Sequence, residues 1–350
     1  MCNIAGYLGD KQAAPILLEM LRKQELFDGD MSTGVATIHE GKLYYRKYVG
    51  NVDELIRETD VLDLPGTMGI AHTRPAGSKA HTPAHPCLSM DETMALVTNG
   101  TTPVTRYCTD WDKAADLLDE NGYVFQMSTK NPRQESPKLS RNGDYVFPPE
   151  ARLFLIDYYI KQGKTPTEAL VLSCEAFYSD NITVTINEKY PDRIFALRTT
   201  RPMVVSMKDG ETYMATTRFG LPEDMLEGAF DLPLFYACSV TRDGVIVSKD
   251  KMNIETVSDM TPYTYHEGYK RLEALLQCKE NPLFFDDLEI AVGKMRDLWP
   301  GDHTCVQHAR LVYDLLWQFE AEGRLQKEAR VQDTQWGTRR RYYMWLEEQA

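Results

Sequence analysis

Cys2 follows the initiator methionine and opens the stretch Cys-Asn-Ile-Ala-Gly-Tyr at 2–7. Once Met1 is removed, its thiol and a free α-amine share one residue. An α-amine titrates at roughly 7.7 to 8.0, so it can take the thiol proton without a separate histidine. A cysteine alone in a first strand is more often a small buried hydrophobe, so other groups must converge on it before it counts as a nucleophile. Two further stretches offer such groups. Gly-Ile-Ala-His-Thr-Arg at 69–74 reads as an apolar strand ending in Arg74, whose guanidinium can grip a carboxylate through two parallel hydrogen bonds. Ala-Leu-Val-Thr-Asn-Gly at 95–100 reads as a strand running into Asn99 and Gly100. There a side-chain amide and a backbone N–H can point at one oxygen, which is what an oxyanion hole requires.

The elements that must hold these groups follow from periodicity and turn signals. Ile16, Leu17, Met20, Leu21 and Leu26 recur at helical spacing and predict an amphipathic helix over 12–26. Strands are expected at 35–39 and 42–48, joined by Glu40 and Gly41, with a short helix at 52–57. A helix over 110–121 ends at Asn121 and Gly122, and a strand is expected at 123–127. Residues 77–83 and 128–142 are small and polar and read as loops. Helices follow at 151–161 and 165–177, the second capped by Thr165 and Glu168 around Pro166. Strands are expected at 181–187, 193–197, 203–208, 211–216 and 235–241, with Asp209 and Gly210 as a hairpin turn.

With 350 residues, 43% hydrophobic and 26% charged, the chain has enough apolar material for a sizeable core and divides into two domains, 2–250 and 251–350. No apolar run is long enough to cross a bilayer, and the N-terminus lacks a signal peptide's basic-then-apolar layout, so cytoplasmic residence is expected. A net charge of −13 disfavours non-specific binding to nucleic acid or anionic membrane. Seven cysteines, at 2, 87, 108, 174, 238, 278 and 305, include no close pair, which argues for reduced thiols. His72, His81 and His85 lack the spacing of metal ligands and read as structural hydrogen-bonding groups; no metal or other cofactor is expected.

Four pieces in order resemble the class II glutamine amidotransferases, the N-terminal-nucleophile hydrolases typified by the glutaminase domain of glucosamine-6-phosphate synthase. That family begins Cys-Gly-Ile-Val-Gly, carries Gly-Ile-Ala-His-Thr-Arg-Trp-Ala-Thr, then Ala-His-Pro, then His-Asn-Gly. Here the counterparts run from Cys2 to Gly6, from Gly69 to Ala76, from Ala84 to Pro86, and from Thr98 to Gly100. The resemblance reaches about Val247 and implies an α+β fold, a four-layer αββα sandwich with Cys2, Arg74 and Asn99 at one mouth. It also implies that Cys2 attacks the glutamine side-chain amide, Asn99 and Gly100 hold the oxyanion, and Arg74 binds the α-carboxylate, with Thr73, Ala76 and Gly77 lining the pocket. Several positions depart from the pattern. Asn3 replaces a glycine, Asp28 an arginine, Pro75 a tryptophan, Gly77 a threonine and Thr98 a histidine. Pro148 stands where the family's amine-binding aspartate would be, leaving Asp144 or Glu150 as substitutes.

Beyond residue 250 the resemblance ends, and the remaining residues are too few for the family's acceptor domains, so an acceptor synthase or a regulatory protein partner is implied. Predicted helices at 263–279, 284–298 and 304–323, then strands at 330–335 and 339–345, give a small C-terminal helical domain with the element order of a winged helix. Arg339, Arg340 and Arg341 beside Tyr342 and Tyr343 suit nucleic-acid contact, but neighbouring Glu320, Glu322, Glu328, Asp333, Glu347 and Glu348 favour a solvated hairpin flank. Protein docking or a homo-oligomer contact is the simpler role for this domain. Two alternatives to glutaminase chemistry stand beside it: a glutamine-sensing module that signals through the C-terminal domain, and an amidase of the same superfamily for another small amide.

Overall fold

The structure is a computed structural model and describes residues 2–75, 84–100, 111–127, 147–253, 260–277, 279–299, 306–334 and 337–347. In chain order the first half comprises β1 (Asn3–Leu8), α1 (Ala13–Asp28), β2 (Ser32–His39), β3 (Lys42–Tyr48), α2 (Val52–Glu58), β4 (Met68–Arg74), β5 (Cys87–Leu88) and β6 (Met94–Asn99). Next come α3 (Trp111–Glu120), α4 (Pro148–Lys161), α5 (Pro166–Ala176), β7 (Ile182–Asn187), β8 (Ile194–Arg198), β9 (Val204–Lys208) and β10 (Glu211–Ala215). The sheets are completed by β11 (Phe230–Asp231), β12 (Tyr236–Val240) and β13 (Val245–Lys251).

Two antiparallel sheets result, ordered β11-β9-β10-β1-β4-β2-β3 and β13-β12-β8-β7-β6-β5. Ile4, Ile38 and Ile70 from the first meet Val97, Val184 and Ile194 from the second in a shared apolar layer. Helix α1 covers the outer face of the first sheet through Leu17, Leu18 and Leu21. Helices α4 and α5 cover the outer face of the second through Leu153, Ile156 and Leu170. Every residue of β1 is buried because both of its faces are covered, so it reads as a continuous apolar run instead of an alternation. This is the αββα layering that the resemblance implies.

One expected strand is absent. Residues 123–127 form no ladder, because the backbone N–H groups of Gln126 and Met127 are taken by the Glu150 carboxylate at 2.8 and 2.9 Å. Conversely, β13 was not expected: Ile246, Val247, Lys249 and Lys251 are exposed along it, which is how an edge strand presents itself.

The C-terminal unit contains α6 (Pro262–Leu276), α7 (Phe285–Lys294) and α8 (His308–Ala321), then the hairpin β14 (Leu325–Thr334) and β15 (Gly337–Leu346). A bridge between Leu283 and Met344 ties the start of α7 to the hairpin. Its core holds Leu272, Phe285, Leu288, Leu311 and Leu316 together with Phe27 from α1. Phe27 packs against Phe219, Tyr313 and Tyr342 at ring separations of 4.5, 5.9 and 5.2 Å, so the two halves share apolar material.

The three consecutive arginines of β15 correct the expectation of a solvated flank. Arg339 and Arg341 are 5% and 4% exposed and turn inward. Arg339 pairs with Asp28 at 2.9 Å, Arg340 with Asp30 at 3.0 Å, and Arg341 with Asp286 at 3.3 Å. Their charge is compensated by acidic groups at the end of α1 and the start of α7, and only Arg340 keeps an exposed side chain.

Candidate active site

Antiparallel pairing of β1 with β4 sets Asn3 opposite Thr73, which brings Cys2 level with Arg74 at one end of the first sheet. Strand β2 completes that end by pairing Ser32 with Arg74. In the second sheet β6 terminates at Asn99, on the same edge of the sandwich, and the two sheets are joined there by His72 Nε2 and the Thr98 carbonyl at 3.0 Å. Cys2 is partly exposed, and its backbone N–H donates to Asn99 Oδ1 at 3.1 Å. The three groups singled out by their chemistry therefore meet at one mouth.

Gly100 follows Asn99 with φ of +83°, the left-handed region that suits glycine. A Cβ there would lie 2.0 Å from the Asp180 carbonyl oxygen and 3.1 Å from Arg201 Cγ, so a side chain is excluded by space as well as by conformation. Asn99 presents its carbonyl end to the Cys2 nitrogen, which directs its amide end elsewhere. An oxyanion hole needs a second donor, the part that the resemblance assigns to the Gly100 N–H.

Arg74 lies 5.7 Å above the Phe147 ring, and its carbonyl accepts from Met31 N–H at 3.1 Å. Thr73 is fully buried; its hydroxyl accepts from Asp30 N–H at 3.3 Å and sits 3.4 Å from Thr33 Oγ1. That hydroxyl braces the loop after α1 instead of facing a ligand. Glu150 is 1% exposed and spends both oxygens on Gln126 and Met127, while burial pushes its pKa up to about 7 against those two donors. Its place is that of an internal anchor. Ala76, Gly77, His81 and Asp144 lie outside the described residues, as does all of 128–142.

Behind Arg74 the His72 and His85 rings stack at 4.2 Å, both buried. Burial, then the Arg74 charge, lowers the His72 pKa to about 3, and burial and His72 hold His85 well below its usual value. Both are neutral at pH 7 and act as packing and hydrogen-bonding groups.

The structure adds residues that the sequence did not suggest. Arg201 pairs with Asp180 at 3.0 Å and with Glu289 from α7. Glu289 also binds His308 Nε2 at 2.9 Å. Burial opposes ionisation of Glu289, yet Arg201 and His308 hold its carboxyl well below the usual range. Arg201 sits beside Pro202 in the last stretch of family likeness, which is a weak signal; Glu289 and His308 carry none.

No protein-family model matches the chain. It is similar to glutamine–fructose-6-phosphate aminotransferase from Pyrococcus horikoshii, 27% identical over 267 residues, covering 73% of this chain and 38% of that one. The enzyme of that name from Caldanaerobacter subterraneus is 32% identical over 219 residues, 62% of this chain and 31% of the relative. The likeness thus takes in well under half of each relative's length. In fold, the chain resembles glutamine phosphoribosylpyrophosphate amidotransferase from B. subtilis, with a TM-score of 0.57 at 19% identity over 79% of this chain and 58% of that one. A cysteine level with a strand-end arginine, an Asn-Gly corner beside it and this sandwich are the features that the resemblance to the class II glutamine amidotransferases implies. The chain's sequence likeness is to the glutamine–fructose-6-phosphate aminotransferases.

Proposed function

We propose that the chain hydrolyses the side-chain amide of glutamine and delivers ammonia to an acceptor outside these residues. With Met1 removed, Cys2 Sγ attacks the amide carbon while its α-amine, through a water, accepts the thiol proton. The tetrahedral oxyanion is held by the Asn99 side-chain amide and the Gly100 N–H, contacts that strengthen as negative charge develops. The proton then passes to the departing nitrogen, ammonia leaves, and a γ-glutamyl thioester remains on Cys2. Water adds to the thioester and releases glutamate, returning the proton to sulfur. Arg74 takes the substrate's α-carboxylate, which selects the free amino acid over a glutamine in a protein.

The observation that carries this reading is the Cys2 N to Asn99 Oδ1 contact, which already fixes the nitrogen that becomes the base. Chain division at about residue 250, with a winged-helix-like second unit, belongs to the same reading. The order of α6, α7, α8 and the hairpin supports it, as does the Leu283 to Met344 bridge. That unit is held on the first half by ion pairs of α8, Arg310 to Asp231 at 2.8 Å and Asp314 to Arg218 at 3.0 Å.

The test is intact mass together with covalent trapping. Mature protein should lack Met1, and a diazoketone analogue of glutamine should label Cys2 while glutamine protects it. Cys2→Ala should bind glutamine yet release no ammonia. Full glutaminase activity in protein that retains Met1 would refute the mechanism, and glutamine binding with no turnover in the wild type would mark a sensor instead.

A further inference from the structure

We infer that the C-terminal unit forms a wall of the glutamine site, with Glu289 positioning its oxyanion side and Arg339 its carboxylate side. This rests on the proposed glutaminase reading and adds residues to it. Neither side chain touches the reacting atoms; Glu289 acts through Arg201, which packs beside Gly100, and Arg339 acts through Asp28 and the Pro75 carbonyl, which adjoin Asn3 and Arg74.

On the oxyanion side, the backbone of Gly100 is confined between the Asp180 carbonyl and the Arg201 side chain. Arg201 is itself held by Asp180 at 3.0 Å and by Glu289, which reaches it from α7. His308 from α8 grips the same Glu289 oxygen at 2.9 Å. Arg201 and Tyr313 both lie within electrostatic reach of Cys2. Removing one member of a buried ion pair leaves the other uncompensated, so the loss of Glu289 should loosen Arg201 and raise the positive field at the thiol.

On the carboxylate side, Arg339 donates to Asp28 at 2.9 Å and reaches the Pro75 carbonyl at 3.4 Å, one residue beyond Arg74. The Asp28 carbonyl accepts from Asn3 Nδ2 at 2.9 Å, directly after the nucleophile, and Tyr313 of α8 reaches Asn3 Oδ1 at 3.4 Å. Asn3 and Asp28 are two positions where the sequence departs from the family motif. Both meet the C-terminal unit, so the departures and the extra unit form one arrangement.

The experiment uses the full chain and reads glutaminase kinetics, melting temperature and the rate of Cys2 alkylation by iodoacetamide. Arg339→Met should raise KM for glutamine about tenfold with kcat within about threefold, and the charge exchange Asp28→Arg with Arg339→Asp should recover most of the loss. Glu289→Gln should lower kcat about tenfold at unchanged KM, and speed alkylation by about threefold through the more positive field. Losses that merely follow the folded fraction, with wild-type KM and alkylation rate, would overturn the inference. If the wild type itself lacks glutaminase activity, the functional reading fails, and the alkylation rate of Glu289→Gln still decides whether the C-terminal unit acts on Cys2.

Discussion

Asn99 Oδ1 accepts the Cys2 backbone N–H at 3.1 Å, so a side chain on the second sheet holds the nitrogen that removal of Met1 would turn into an amine. In the proposed mechanism the same residue has two duties, orienting the base and donating to the oxyanion. Asn99→Ala should lower kcat by about 10² to 10³, the usual cost of one oxyanion donor, with a small change in KM. Steady-state ammonia release measures it.

Arg74 ends its strand with the guanidinium over Phe147, and in the proposed mechanism it takes the α-carboxylate by two-point recognition. Lysine keeps the charge but not the fork, so Arg74→Lys should raise KM at least tenfold, about 1.4 kcal/mol, and Arg74→Met further still. Amides lacking an α-carboxylate should show little difference between wild type and variant.

Glu150 separates two roles by measurement. As an anchor for the backbone at 126 and 127, its loss should act on stability: Glu150→Gln should lower the melting temperature, at about 1 to 3 kcal/mol for the backbone donor left without a full acceptor, and leave KM unchanged. A KM rise of tenfold or more with unchanged melting would instead assign it to the substrate amine.

The pH dependence of stability has a defined sign at Glu25. Burial, then the nearby Asp30 charge, push its carboxyl up to about 8, with Val52 N–H and Arg340 pulling the other way. Folded protein keeps this proton where the unfolded chain has lost it, above an ordinary carboxyl value of about 4.3. The contribution is therefore complete below that value and is lost as pH rises toward 8. Wild type minus Glu25→Gln melting temperature should fall steadily between pH 5 and 8.

Cys2, Arg74 and Asn99 were legible because each ends a short apolar strand, and a strand end is where sequence and position coincide. The sheets were legible too, since strands covered on both faces leave unbroken apolar runs. The segment at 123–127 was misread because Tyr123, Phe125 and Met127 are buried side chains of an irregular stretch, whose backbone is satisfied by a carboxylate and not by a neighbouring strand. The arginines of β15 are not legible from their neighbours in sequence, because their acidic partners are not the nearby ones. Their partners Asp28 and Asp30 lie about three hundred positions away. Glu289 and His308 carry no motif, and their relevance comes only from where α7 and α8 come to rest.

Phe27 has a consequence for how the molecule comes apart. Seated among Phe219, Tyr313 and Tyr342, it is a ring of the first half lodged in the core of the second. Cutting the chain near residue 253 would strip that ring and Phe219 bare, so the leading fragment should clump in solution and heating the intact protein should give one melting step.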